Sequence, residues 1–488
     1  MYRGIFLFKA LDAFNFGNYF KKWIRIIYSN PECCTTNNGF NSDFFKISRG
    51  IRQGCPISAL LFLLVVEIMA NNIRQSDNIK GITYAPNKSI VISQLADDTT
   101  LFLKDIESLK NALALIDNFS KISGLKLNKD KCEAFWIGSS ANSNSKPLGL
   151  KWTKGMIKCL GIWCGSNIDD AINFNFNEKI DKIKTLLNIW KQHRLSLKGK
   201  ITVIKTFAMP LILYPANCLY VPDWVTKQVD EILVKYLWSG KLPKVKKTTI
   251  INYIERGGLK MPLLSAMIKG LKCTWIKRFL SPTFSKLDLL NNFVHYKGKT
   301  FKEIVLSKLD TRYIQFDSLF YQQVLLGWFS LFSKHPNNII DIANSKIWNN
   351  KHILINNSPV EYTNWHNNGI AKFYHILDEN GHIIDKNNLE TKYSVSINQM
   401  EYNSLIHAIP SMWKKKVLGK NLVNLVQEDD FVTINDKRVN ISKITCKSVY
   451  LDEIANIITH PTAQFKWEEK LNLKHVVNHL FNHFNTKF

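Results

Sequence analysis

The chain has 488 residues, enough for two or three domains with separate cores, and its 45% hydrophobic and 12% aromatic content excludes an intrinsically disordered polymer. Its 65 Lys+Arg against 39 Asp+Glu leave a formal net charge of +26, which points to a polyanion and first to nucleic acid, a solvated basic surface being the plain alternative. Nine scattered cysteines, odd in number and without a CxxC pair, exclude a disulfide framework and fit an intracellular setting, nucleus or cytoplasm; with no basic-apolar leader, secretion is not expected.

In chain order, apolar spacing from Phe6 to Tyr28 predicts two helices broken near Gly17-Asn18, and the turn formers from Asn30 to Asp43 fit a short hairpin. A loop from Ser48 to Pro56 then opens a helix running to about Ile73. Its apolar run, Cys55 to Ala70, is shorter than the ~20 residues a bilayer needs and contains Pro56, Ser58 and Glu67, so a buried helix is expected and no membrane contact. Strands are predicted around Ile90–Ser93, Thr99–Leu103 and Lys131–Ile137, with a helix over Ile106–Ser123 ended by Gly124. Ala141–Lys146 is a connector, and Cys159–Cys164 a short strand or hairpin. From Phe176 to Ser239 the pattern is helical, punctuated by Pro210, Pro215 and Pro222; Glu255-Arg256-Gly257-Gly258 marks a turn, and the remainder mixes helices with Asn-rich loops.

Chemistry concentrates at Leu95-Ala96-Asp97-Asp98, two adjacent carboxylates inside strand-like sequence. Neighbouring carboxylates repel unless cations compensate them, and successive strand residues point to opposite faces. A tight turn is therefore expected here, where two oxygen ligands suit a hard cation such as Mg2+. Upstream lies Arg49-Gly50-Ile51-Arg52-Gln53-Gly54-Cys55-Pro56-Ile57-Ser58; downstream lies Gly124-Leu125-Lys126-Leu127-Asn128-Lys129-Asp130-Lys131. These three stretches, in this order, resemble motifs B, C and D of the palm of reverse transcriptases, specifically those of LINE-type (non-LTR) retrotransposons. Leu160-Gly161-Ile162-Trp163-Cys164-Gly165 resembles motif E, the primer grip; Leu195-Ser196-Leu197-Lys198-Gly199-Lys200 and Gly257-Gly258-Leu259-Lys260-Met261-Pro262 recur in that lineage after the palm.

The resemblance implies an RNA-directed DNA polymerase that joins a primer 3′-hydroxyl to an α-phosphate, with Mg2+ as cofactor and an RNA template, a DNA primer and deoxynucleotides as partners. Asp97 would be the main metal ligand and Asp98 its support. Gln53 and Gly54 would line the nucleotide pocket, Gly50 and Gly54 letting backbone come close, and Arg52 would contact phosphate. Lys131 is the candidate general acid for pyrophosphate, a solvated surface role being its alternative. Leu95 stands where the family has Phe or Tyr, so the flat ring beside the primer end is lost and reduced efficiency is expected.

The segment around Phe6–Leu11 and Phe14–Gly17 resembles the helix after motif A, which places that motif's strand and catalytic aspartate just before Met1. Asp12, inside a helical pattern, is no substitute. The expectation is an inactive or severely impaired polymerase, the alternative being a catalytically dead remnant that binds nucleic acid. The expected fold is α+β: a truncated palm of antiparallel sheet and helices over residues 1–140, motif E and a helical thumb over 141–240, and a mainly helical connection-like region over 241–488. Without the motif A strand, a sheet edge is left open and the palm weakened. His475, His479 and His483 share one predicted helix face, where a solvated role outweighs metal binding. Trp152, Trp163, Trp190 and Trp238 could stack on bases, although core packing explains most of them better.

Overall fold

The structure, a computed structural model, describes residues 4–29, 32–46, 55–141, 143–282, 284, 287–331, 336, 338–420, 431–434 and 437–458. The chain divides into two compact units, Met1–Ala171 and Ile172–Phe488.

In the first unit, α1 (Gly4–Ala13) and α2 (Asn18–Ile27) are separated at Gly17, whose extended backbone breaks the helical run where the sequence places the break. Strands β1 (Glu32–Cys33), β2 (Thr36–Asn37), β3 (Phe40–Asn41) and β4 (Phe45–Lys46) pair antiparallel, β1 with β4 and β2 with β3. Helix α3 (Pro56–Gln75) starts on a proline, whose missing amide hydrogen has no intrahelical partner to lose there. It is long and apolar enough to cross a membrane, yet its stripe of Leu61, Val65, Met69 and Ile73 is buried in the core of this unit. Helix α4 (Ile106–Ser123) has the expected bounds. The Asp105 carboxylate accepts from the Ser108 amide at its start, and Gly124, at φ +82°, turns the chain left-handed at its end. Its Ile116 and Phe119 join Leu7 and Leu11 of α1 in the same core.

Strands β5 (Ile82–Ala85) and β6 (Lys88–Ile90) form a hairpin that the sequence pattern does not announce, turned at Pro86 and Asn87, the latter at φ +58°. β7 (Ile92–Leu95) and β8 (Asp98–Leu101) form the next, and an isolated bridge between Gly81 and Leu103 links the chain just before β5 to the chain just after β8. A continuous palm sheet is not what forms: among the described residues every sheet has two strands. Tight turns close β2 onto β3, β5 onto β6 and β7 onto β8, which satisfies the backbone of those strands locally, while β1 pairs with β4 around the β2–β3 hairpin. The expected strand over Lys131–Ile137 also shrinks. Lys129–Lys131 winds into a 3-10 turn, leaving β9 (Glu133–Ala134), which pairs in parallel with β10 (Lys151–Trp152). The Trp136 and Trp152 rings stack at 4.5 Å, so packing accounts for Trp152. β11 (Met156–Cys159) and β12 (Ile162–Gly165) make the anticipated hairpin, closed by Leu160 (φ +48°) and Gly161 (φ +80°).

The second unit opens along α5 (Ile168–Lys191) and continues with α6 (Leu197–Val203), a π turn over Ile204–Ala208, α7 (Met209–Cys218) and α8 (Asp223–Leu237). Pro210 explains the π turn, because its ring would clash with the carbonyl four residues back and it offers no amide to the ladder. Phe176, Ile204, Ile212 and Leu233 centre the core of this bundle. The Leu195–Lys200 motif has a structural part to play: Ser196 caps α6, and Lys200 reaches the Leu237 carbonyl at 3.1 Å and the Ser239 hydroxyl at 2.5 Å, closing the C-terminus of α8. In the later motif, a Cβ on Gly258 would lie 2.1 Å from the Asn252 carbonyl oxygen, so only glycine fits. Trp190 stacks on Phe207 at 5.4 Å.

Beyond these come α9 (Lys247–Ile251), α10 (Leu264–Phe279), α11 (Leu287–Leu290), β13 (Val294–His295), α12 (Phe301–Leu306), β14 (Gln315–Phe316), α13 (Leu319–Ser330), α14 (Ile339–Ala343), β15 (Leu354–Ile355) and β16 (Ser358–Pro359). Short helices come next, among them Gln399–Ala408 and Cys446–Ile457, with one hairpin of Phe431–Ile434 on Lys437–Asn440. Mixed helices and small, mostly antiparallel sheets make the chain α+β, as expected.

Three side chains clamp the link between α7 and α8. Trp275 donates its indole N–H to the Asn217 carbonyl at 2.7 Å, the Lys272 ammonium donates to the Leu219 carbonyl at 2.5 Å, and the Gln323 amide pairs with both N–H and C=O of Val221. Lys272 is fully buried over the Phe320 ring, and burial pushes its pKa down to about 7. The unfolded chain holds this proton up to about pH 10.5, so between pH 7 and 9 it binds more protons and stability rises with pH. Above pH 9 the buried Cys273 thiol, pushed up to about 12, acts in the opposite sense. Lys272→Met should therefore remove up to about 1.4 kcal/mol of stability gain per pH unit between pH 7 and 9, read from denaturant unfolding. An unchanged slope contradicts this.

Candidate active site

Asp97 and Asp98 sit at the tip of the β7–β8 hairpin, both exposed. Register pairs Leu95 with Asp98, Gln94 with Thr99 and Ser93 with Thr100, which leaves Ala96 and Asp97 as a two-residue loop. The turn anticipated from the alternation of strand faces is therefore present. Alternation along the strands puts Ile92, Gln94, Thr99 and Leu101 on one face, with Ile92 buried in the core. Ser93, Leu95, Asp98 and Thr100 lie on the other. On that second face the Thr100 hydroxyl meets the Cys159 thiol at 3.4 Å, which joins the aspartate hairpin to the β11–β12 hairpin. The Lys158 ammonium lies 5.2 Å from the centre of the Trp163 ring, across the same hairpin. Leu95, 61% exposed, occupies the flank of the tip.

Ala96 has φ +53°. Two-residue hairpin loops ask for this left-handed backbone, which glycine adopts freely and alanine only at a cost. Ala96→Gly should stabilise the first unit by roughly 0.5–1 kcal/mol, seen as a Tm higher by about 1–4 °C; a lowered Tm would show the turn to be unstrained.

Of the other sequence candidates, Arg52, Gln53 and Gly54, with Gly50, lie outside the described residues, as do His475, His479 and His483. The helix after the first three is described. Cys55 occupies the N-terminal boundary position of α3, where the Ser58 hydroxyl, then the Ile57 amide, hold its thiol below the usual range. Ser58 is buried and shares a 2.6 Å hydrogen bond with the Tyr28 hydroxyl. Helix α3 also packs against β7, so the end of this stretch is tied to the aspartate hairpin. Lys131 is exposed on its 3-10 turn and makes no hydrogen bond or ion pair with Asp97 or Asp98. Sequence reasoning did not find Thr100, Cys159 or Tyr28. The only signal for Thr100 and Cys159 lay in strand register, which fixes which residues share a face; Tyr28, at the end of α2, carried none.

Two carboxylates side by side on an open tip suit a divalent cation that takes its remaining ligands from water and substrate phosphates. Among the described residues, no group of three or more His, Cys, Asp or Glu gathers to hold a metal. The donor set fits a cation shared with substrate, and not a protein-enclosed metal.

Part of the basic charge is structurally committed. Lys247 pairs with Asp230, and Lys414 donates to the Ile406 carbonyl at 2.6 Å. Lys244, Lys246 and Lys415 remain exposed.

Residues 5–164 match the family described as reverse transcriptase (RNA-dependent DNA polymerase). The chain is 27% identical over 280 residues to the "Transposon TX1 uncharacterized 149 kDa protein" of Xenopus laevis, covering 56% of this chain and 21% of that protein. It is 21% identical over 313 residues to the "Retrovirus-related Pol polyprotein from type-2 retrotransposable element R2DM" of Drosophila melanogaster, covering 62% of this chain and 29% of that one. A third relative is the "Retrovirus-related Pol polyprotein from type-1 retrotransposable element R2" of Popillia japonica, 23% identical over 235 residues, 46% of this chain and 38% of the relative. The chain thus spans well under half the length of each.

Proposed function

We propose that this chain, which belongs to the reverse transcriptases of non-LTR retrotransposons, presents Asp97 and Asp98 to the primer end of an RNA template–DNA primer duplex, with deoxynucleotides as substrate. The carrying observation is the hairpin tip itself: two exposed carboxylates on a turned loop, joined through Thr100 and Cys159 to the hairpin that resembles the primer grip. Asp97 and Asp98 would hold Mg2+, which supplies charge neutralisation for the attacking and leaving oxygens. Leu95 would rest against the terminal base pair, and Asp98 would face the primer strand. Arg52, Gln53 and Gly54 would line the nucleotide, and Lys131 would protonate the leaving pyrophosphate. Residues 1–140 would serve as palm, 141–240 as primer grip and thumb, and 241–488 as a connecting region. The free thiols of all nine cysteines support an intracellular setting, nucleus or cytoplasm.

A specific observation favours weak catalysis by these 488 residues. Two-metal transfer needs carboxylates to neutralise both ions, and no third acid joins Asp97 and Asp98 among the described residues. Binding of template–primer should therefore be ordinary and incorporation severely impaired. Primer extension on an annealed RNA–DNA substrate, with Asp97→Ala as control, tests both statements. Incorporation that survives the control removes the proposed site; tight binding with only trace, Asp97-dependent incorporation is the expected result.

A further inference from the structure

The second unit contains a cavity that no part of the polymerase reading uses. It measures about 350 Å³ and is lined by His295, Tyr296, Lys297, Tyr313, Gln315 and Ser358, with Gly298 and Pro359. Its walls are built by turns whose chemistry is plain. Lys297 (φ +43°) and Gly298 (φ +70°) close a turn in which the Lys299 amide donates to the Tyr296 carbonyl at 2.8 Å. Asn356 (φ +50°) and Asn357 (φ +59°) close the β15–β16 hairpin. His295 and Gln315 are cross-strand partners of β13 and β14, so both side chains leave the ribbon on one face.

Both tyrosines are fixed before any ligand arrives. Tyr296 donates its hydroxyl to Asn349 Oδ1 at 2.7 Å, and Tyr313 donates to the Asn357 carbonyl at 2.6 Å. Rigid aromatic walls lose little entropy on binding. The side chains of Lys297, Gln315 and Ser358, by contrast, make no hydrogen bond or ion pair among the described residues. The Lys297 ammonium lies 5.5 Å from the centre of the Tyr296 ring, a contact that leaves its three donors available. The lining carries no carboxylate, and the neighbouring acid Asp317 is held by His295 at 2.9 Å.

We propose that this cavity binds one nucleotide unit, its base against the fixed Tyr313 ring and its phosphate on Lys297, with Gln315 and Ser358 available to the base edge. Ring faces accept any base by stacking, an ammonium without a carboxylate partner accepts phosphate, and the volume falls within the range of small-ligand pockets. The unit could come from an unpaired strand or from a free nucleotide, and the experiment separates these sources.

The test uses the full chain and does not depend on polymerisation. A single-stranded RNA 12-mer of mixed sequence carrying 4-thiouridine is crosslinked by light and mapped. Binding of free AMP and UMP is followed in parallel by saturation-transfer NMR. Crosslinks at residues 295–298 or 313–315 are expected. Tyr313→Ala and Lys297→Ala should each lower crosslinking there about tenfold, whereas Tyr313→Phe, which keeps the ring, should retain it. Lys297 is exposed, so its variant reads out even if the Tyr313→Ala protein does not fold. Saturation transfer to free nucleotides, lost in Lys297→Ala, without strand crosslinks would assign the site to free nucleotide. Absence of both, or crosslinks indifferent to Lys297→Ala and Tyr313→Ala, overturns the proposal.

Discussion

Asp97→Ala should remove whatever primer extension the chain supports, by a factor of roughly 10²–10³, while Asp98→Ala costs less. The difference comes from position. Asp97 lies in the loop, outside the pairing of β7 and β8, and its carboxylate meets solvent at the tip. Asp98 begins β8, opposite Leu95, and so faces the side that continues through Thr100 to Cys159. A cation shared with substrate phosphates would depend on the loop carboxylate first. Asp97→Asn keeps the shape and loses the charge, so it should resemble alanine in extension and wild type in Tm. Because the carboxylates repel at a shared tip, neither substitution should destabilise the fold. If Asp97→Ala extends primer as well as wild type does, the hairpin is not the catalytic turn.

The second large effect is on binding. With a net charge of +26, the chain should lose affinity for single-stranded RNA steeply as salt rises, and about six phosphate contacts correspond to roughly 300-fold between 50 and 200 mM. Not all lysines should contribute equally. Lys247→Ala should weaken packing more than binding, since the ammonium is held by Asp230, whereas Lys244→Ala and Lys246→Ala should flatten the slope of log affinity against log salt by about 0.7 each. Fluorescence anisotropy at several salt concentrations checks this. A slope near zero would identify the charge as a solvated surface.

Much of the local architecture was legible because single residues carried it. Gly124 ends α4, Pro56 opens α3, and the adjacent aspartates in strand-like sequence ask for a turn. The tip itself was harder. The loop residue in left-handed backbone is Ala96, not glycine or asparagine, so the usual sign of a two-residue loop is missing. The β5–β6 hairpin hid for the opposite reason, its Pro86-Asn87 turn being flanked by too little alternation to read as strand. Around Lys131 the alternation of Cys132, Ala134 and Trp136 suggested a longer strand. Stacking of Trp136 on Trp152, with its indole donating to the Ser145 carbonyl, instead folds that chain back. The contact between Thr100 and Cys159 spans 59 positions, and only the register of two hairpins reveals it. Long-range partners of lysines, such as Asp230 for Lys247, were equally silent in the sequence.

The most direct test of the hairpin is the cation itself. Electron paramagnetic resonance with Mn2+ as the probe, on the full chain mixed with template–primer and deoxynucleotide, should show immobilised Mn2+ that disappears in the Asp97→Ala/Asp98→Ala double variant. Equal Mn2+ immobilisation by both proteins would contradict the proposal that this turn binds the metal.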